Sequence, residues 1–451
     1  MILRLKRVLS LRTVVAASAG LTFASSSFVA AVQVAGFMAG DSVWLAILTG
    51  GLLCLLSAAC FSELNAALPS AAGIRLYFGR AFNEKLALTV ALLYMAVLLG
   101  VIGAESYVLA GVFKEVFPGT TSLFWISLML LLVTAMNIRG IKIAGAFQDV
   151  FTYGLVLSLM IMSLIGISKF GIEWQSLVSP GSPTGIINAV AVGVFLFVGF
   201  EWITPLAEEV IDNKVISRGM FLAIGLLSIT YALFTLSMTV SVDKQVLQAS
   251  SVPQILFAKA VLGEPGFVWM TILSLVASIT TFNAGLISVS RFMYASAREH
   301  VLPQVFARVS ARFFTPWAAI CFLFVASFVI SATVVLTGRY MVLINMAAAM
   351  ESIVYALVGL AVIRLRSKEP ELSRCYRVKG GKLVPAACFL IFSVLAVAVL
   401  STNLLIAVYL LAGLIFCLAY VLFIVPKLKK KYARPKQTRR RPVRTETNNN
   451  N

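Results

Sequence analysis

The sequence predicts an all-α integral membrane protein of twelve transmembrane helices, and three observations carry that prediction. Its 451 residues are 60% hydrophobic and 12% charged, with a mean hydropathy of +0.96, a balance that soluble domains do not reach. Apolar stretches long enough to cross a bilayer fall into two sets of six. Placing the N-terminus in the cytoplasm puts 32 of the 37 Lys and Arg on that side and leaves only Lys114, Lys169, Lys244, Lys259 and Arg339 opposite. Such asymmetry is the positive-inside pattern of a chain with both ends in the cytoplasm. The net charge of +19 is therefore topological and does not point to nucleic acid.

In chain order, residues 1–13 form a basic cytoplasmic N-terminus. The first six apolar stretches are Val14–Ala39, Val43–Pro69, Leu86–Val112, Leu123–Asn137, Val150–Ile167 and Ile186–Val210. The next six are Met220–Val242, Phe267–Ala297, Trp317–Leu336, Met341–Ile363, Val384–Leu400 and Leu404–Val425. The N-terminal run is too long for the apolar core of a signal peptide and leads into a second span, so it is read as retained. Residues 427–451 form a basic, disordered cytoplasmic tail with Arg439, Arg440 and Arg441 drawn to anionic lipid headgroups. Six Cys without metal spacing and one His make a metal site or cofactor unexpected.

Two spans break the helical rules. In the sixth, Gly199, Glu201 and Pro205 sit close to bilayer depth. Pro205 lacks an N–H and crowds the carbonyl four residues back, at Glu201 itself, while an ionised Glu in hydrocarbon requires a partner or a cavity. In the first, Ser25, Ser26 and Ser27 follow small residues, and their hydroxyls compete for backbone carbonyls. Irregular segments at matching positions in two halves are the mark of an inverted-repeat transporter whose substrate binds where both helices break.

Four stretches resemble the amino acid–polyamine–organocation (APC) superfamily of secondary transporters. They are Gly199-Phe200-Glu201 with Ala207-Glu208-Glu209, Phe61-Ser62-Glu63-Leu64 leading to Pro69, Gly73 and Tyr77, Ser290 to Ala295 with Leu302-Pro303 and Thr315-Pro316, and the basic loop Arg364-Leu365-Arg366 with Tyr376-Arg377. The resemblance implies a five-plus-five inverted repeat over residues 14–170 and 186–365, two additional C-terminal helices over 383–426, and alternating access around a central site. It implies carboxylate capture near Ala24, Ser25 and Ser26, and ammonium binding near the carbonyls of Phe197, Val198 and Phe200. Glu201 falls where relatives handling cations carry a responsive carboxylate, and Trp202 and Phe195 are candidate aromatic gates. The usual Gly-Ser-Gly of the first helix is here Ala24-Ser25-Ser26, and the fifth span lacks the Lys that some proton-coupled relatives carry.

Glu105 and Glu351 are further carboxylates within apolar spans, with no cation in their own spans at comparable depth. Glu105 is expected to be hydrogen-bonded structure near the outer surface, and Glu351 and Tyr94 are candidate gate or coupling groups; Glu63, Glu208 and Glu209 are expected to pair with loop residues such as Arg75 or Arg298, as a candidate inner gate. Asn283 and Asn345 are candidate cavity-lining groups that more often glue helices together. No phosphate-cradling loop, metal cluster or soluble catalytic domain supports an enzyme, and no repeated filter segment supports a channel. The expected activity is secondary transport of amino acids by symport or exchange, in the bacterial inner membrane, with a basic amino acid or polyamine as the alternative substrate. Protons and the lipid bilayer are the other expected partners; no protein partner or nucleic acid is expected.

Overall fold

The computed structural model describes residues 7–24, 26–27, 31, 42–172, 183–212, 214–250 and 252–432. The helices in order are α1 (Leu11–Thr22), α2 (Val43–Ala67), α3 (Ile74–Ala81), α4 (Glu84–Val116), α5 (Ser122–Arg139), α6 (Ile141–Phe170) and α7 (Pro183–Phe195). After α7 comes a 3-10 segment, Phe200–Glu208, and then α8 (Lys214–Ser241), α9 (Lys244–Ala249), α10 (Pro253–Leu262), α11 (Glu264–Arg298), α12 (Trp317–Thr337) and α13 (Tyr340–Lys368). The chain ends in α14 (Leu383–Thr402), α15 (Leu404–Ala419), a single π turn and α16 (Val425–Tyr432).

Among the described residues, eleven helical segments are long and apolar enough to cross a membrane. The sequence led us to expect twelve. Of the first expected span, the start is described as α1, and most of the remainder lies outside the described residues. No named strand occurs among the described residues, only an isolated parallel bridge between Leu9 and Val210.

Local chemistry sets the boundaries. The Asn83 side chain accepts the N–H of Leu86 at 2.8 Å to start α4, and Asn403 accepts that of Leu405 at 2.9 Å to start α15. Pro253 stands at the start of α10, where a missing N–H costs nothing. Helices α4 and α11 have 33 and 35 residues, about 50 Å of rise each, so both outrun a ~30 Å hydrocarbon core. Their faces are buried nearly all round. By contrast α14 and α15 expose Leu390, Val394, Val397, Leu405 and Phe416, an apolar surface suited to lipid.

Close packing around the centre depends on missing side chains. A Cβ at Gly50 of α2 would lie 2.6 Å from the backbone carbon of Gly193 on α7, and one at Gly193 would lie 2.8 Å from the carbonyl oxygen of Ala46. Gly50→Ala must therefore push one backbone away from another, at a cost of about 1–3 kcal/mol. A lowered thermal midpoint in detergent checks this; an unchanged midpoint would show that the two helices part easily.

The helix ends carry ion pairs on loops that the charge pattern assigns to one side. Arg366 grips Glu63 at 2.8 and 2.5 Å, Arg298 grips Glu208 at 3.0 and 2.7 Å, and Arg75 meets Glu299. The Arg80 guanidinium beside Glu369 holds that loop carboxyl below the usual carboxylate range, so this pair is lost only as pH falls through the lowered value. Among the described residues the Arg366–Glu63 pair is buried, and so is that of Arg291 on α11 with Glu209 at 2.8 Å, with side chains 1% and 0% exposed.

Candidate functional site

Among the described residues, helical geometry stops just before Ser25–Ser27 and again after α7. Helix α1 stops at Thr22, and Phe23 leaves the helical region with φ −87° and ψ 80°. The stranded carbonyls of its last turn are taken by neighbours. Tyr231 of α8 donates its hydroxyl to the carbonyl of Thr22 at 2.9 Å, and Thr281 of α11 reaches those of Gly20 and Phe23 at 3.1 and 3.2 Å. Beyond the break, the N–H of Ser26 donates to Glu105 of α4 at 2.8 Å, and the hydroxyl of Ser278 holds the other oxygen of the same carboxyl. Ala24 is buried beside the break, and Ser25 lies outside the described residues.

The second interruption follows α7. Phe195 is buried where the helix ends, Leu196 to Val198 turn through short-range bonds, and Gly199 takes φ +111°. Only glycine adopts that backbone without strain, and a Cβ there would also lie 2.8 Å from Leu21. The chain then tightens into the 3-10 segment containing Pro205. The hydroxyl of Ser18 on α1 donates to the carbonyl of Phe200 at 3.1 Å, so the two broken helices are bonded to each other across the centre. Phe197, Val198 and Phe200 are all buried there.

Glu201 opens onto a cluster that joins three elements. Tyr94 of α4 donates to one of its oxygens, and Tyr355 of α13 donates to the other at 2.9 Å. Tyr94 also touches Glu351 of α13 at 2.5 Å, and both carboxyl groups are buried, at 1% and 0% exposure. A phenol owns one hydrogen, yet this one bridges two carboxyl groups. One of the two contacts therefore uses a carboxyl hydrogen, and Glu201, Tyr94 and Glu351 share a proton. The second oxygen of Glu351 is buried without a hydrogen-bond partner among the described residues.

Rings seal the cluster. Trp202 lies 5.2 Å from Tyr94 and 5.8 Å from Phe292, while Phe61 and Phe200 pack on Tyr355 at 5.7 and 5.5 Å between centroids. The cavity left between Tyr94, Glu201, Trp202 and Pro205 is about 10 Å³, room for one water at most. Among the described residues, the cluster leaves little free space.

Sequence reasoning and structure differ in places. Glu105, read as hydrogen-bonded structure, is fully buried and accepts from Ser278 on a neighbouring helix, and its further partner, the N–H of Ser26 at the first break, was not foreseen. Tyr355 was not singled out, although it lies one helical turn beyond Glu351 and so on the same face. Glu208 pairs with Arg298, as expected of a helix-end carboxylate, and lies outside the buried cluster. Asn283 is glue: it accepts from Asn137 at 2.7 Å and donates to Gln148 at 2.7 Å, tying α5, α6 and α11 together.

A bundle of apolar helices, two of them broken and facing each other over buried carboxyl groups, is the architecture of a secondary transporter. The comparisons agree at the level of family. The family model described as "Amino acid permease" matches residues 9–427, and the chain belongs to that family, which is a family of transporters and not an enzyme class. It is 27% identical to the human Asc-type amino acid transporter 1 over 373 residues, covering 78% of this chain and 69% of the relative. It is 26% identical to the human large neutral amino acids transporter small subunit 2 over 360 residues, covering 74% and 64%. The chain thus spans about two thirds of the length of these mammalian relatives. A methylthioribose transporter of Bacillus subtilis (strain 168) is 25% identical over 401 residues, covering 84% and 86%. Among solved structures, Mhp1, a nucleobase-cation-symport-1 family transporter with bromovinylhydantoin bound in a closed conformation, superimposes with a TM-score of 0.59 at 15% identity, covering 95% of both chains. A manganese transporter of Eremococcus coleocola gives 0.60 at 13%, covering 95% and 98%. At these identities the two structures share the fold alone.

Proposed function

We propose that the protein carries neutral amino acids across the plasma membrane by alternating access, with both termini in the cytoplasm. In this reading there are twelve spans, arranged as a five-plus-five inverted repeat followed by two further helices. The observation that carries the reading is the meeting of two interrupted helices, bonded to each other from Ser18 to Phe200, in a chain of the amino acid permease family. The backbone around Ala24–Ser26 and Phe197–Phe200 receives the ligand's polar ends, and buried Phe197, Val198 and Phe200 favour an apolar side chain. Relatives named for neutral amino acids support that substrate class. Glu201, Tyr94 and Glu351 hold the coupling proton, Trp202 and Phe195 close the site, and the Glu208–Arg298 pair is a gate that opens with the cycle.

Reconstituted protein is the test. Saturable uptake of labelled leucine, stimulated by an inward proton gradient, is expected, with arginine and putrescine carried poorly. Saturable uptake of arginine or putrescine instead would make Glu201 and Glu351 the groups that recognise a cationic substrate. Uptake of none of the three would remove the substrate assignment.

A further inference from the structure

We propose that Glu105 sets the selectivity of the central site by holding the donor that a ligand's own carboxylate needs. The inference rests on the transport reading above and adds a residue that neither the broken helices nor the Glu201 cluster includes. Three observations on different elements meet at this point. The carboxyl of Glu105, on α4, is fully buried and accepts the backbone N–H of Ser26 at 2.8 Å. The hydroxyl of Ser278, on α11, fixes its other oxygen, so the carboxyl is aimed at the break. The hydroxyl of Ser26 is 1% exposed and has no hydrogen-bond partner among the described residues, an unused polar group at the same place.

An interrupted helix offers backbone N–H groups that hydrocarbon cannot satisfy and that attract anionic ligand groups. Here the protein supplies its own anion-type group to the N–H of Ser26. An incoming carboxylate must displace the Glu105 oxygen from that N–H, because a single backbone N–H serves one strong acceptor at a time. The break therefore discriminates against the carboxylate end of a ligand, and the amine and side chain contribute a larger share of recognition. Tyr231 is the titratable neighbour on α8; its hydroxyl is engaged with the carbonyl of Thr22 and leaves the competition to Glu105.

The experiment measures KM for leucine uptake, and the inhibition constant of isoamylamine, which is leucine without its carboxylate. Parent protein, Glu105→Gln and Ser278→Ala are compared in proteoliposomes. In Glu105→Gln the KM for leucine is expected to fall by about threefold or more, because an uncharged amide competes less well for the N–H, while isoamylamine inhibits no more strongly than in the parent. Ser278→Ala, which keeps the carboxyl but releases its anchor, is expected to shift the leucine KM in the same direction by less. An unchanged or raised leucine KM in a monodisperse Glu105→Gln protein overturns the proposal. If that variant does not fold, Ser278→Ala decides alone: a lowered leucine KM supports the role of Glu105 and an unchanged one overturns it. A parent that carries leucine beside variants that keep its KM overturns only the role of Glu105. A parent that carries no amino acid overturns the transport reading along with it.

Discussion

Glu201→Gln is expected to lower proton-driven uptake by roughly tenfold to a hundredfold while leaving the protein folded. The side chain accepts hydrogen bonds from Tyr94 and Tyr355, and through Tyr94 it shares a proton with Glu351. A glutamine keeps the shape and one acceptor, so the packing of Trp202 and Phe200 survives. It loses the acceptor that balances the shared proton. Hydrogen bonds to charged groups contribute about 1.5–3 kcal/mol, which corresponds to that range in rate if they are remade during the cycle. Initial rates in proteoliposomes, with and without an inward proton gradient, set against the thermal midpoint of the same preparations, give the answer. Glu351→Gln should flatten the dependence on the gradient, and Tyr94→Phe should do so through loss of the bridge alone. If Glu201→Gln transports like the parent, the cluster is structural glue between α4, α13 and the 3-10 segment, and the proton is carried elsewhere.

The second large effect concerns folding. Arg291→Met should collapse the yield of folded protein, because it strands Glu209 in a place with no exposure. Removing one partner of a buried ion pair costs about 3–5 kcal/mol, against total stabilities of about 5–15 kcal/mol. The double replacement Arg291→Met with Glu209→Leu removes both charges and should recover much of the yield, since an apolar pair of similar volume is close to neutral. Fluorescence-detected size exclusion of the single and double variants distinguishes the cases. A well-folded Arg291→Met would mean that Glu209 finds another donor. The outer pair Arg298–Glu208 is more exposed and should contribute less than about 1 kcal/mol to stability, so its loss should be felt in transport and not in yield.

What was legible in the sequence follows from what the bilayer enforces. Hydrocarbon tolerates few charges, so the apolar stretches reported the helices, and Gly199 and Pro205 reported a break because no lipid-facing helix contains such a pair near a carboxylate without reason. Tyr94 and Glu351 could be named as gate or coupling candidates, but their contact could not. They lie 257 residues apart, and only the packing of α4 against α13 brings them together. Tyr355 carried a weaker signal, its spacing from Glu351 along one face, which any buried aromatic would also give. The partner of Glu105 at the break was hidden for a related reason. Its depth was inferred from its position along α4, eleven residues beyond Tyr94, and nothing in the local pattern reports that the opposing chain is unwound there. Break chemistry depends on what faces the break, and that is a tertiary fact.

The parallel bridge between Leu9 and Val210 has a mechanical meaning. The N–H groups of Val8 and Leu9 both donate to the carbonyl of Glu209, at 2.8 and 3.0 Å, and the N–H of Ile211 returns to Leu9 at 3.2 Å. With the bond from Ser18 to Phe200, the early half of the first span and the late half of the sixth are riveted at both ends. Two levers hinged at separate breaks would need separate signals to swing in step. Riveted levers need one, so in the proposed cycle a movement of the 3-10 segment is expected to carry α1 with it.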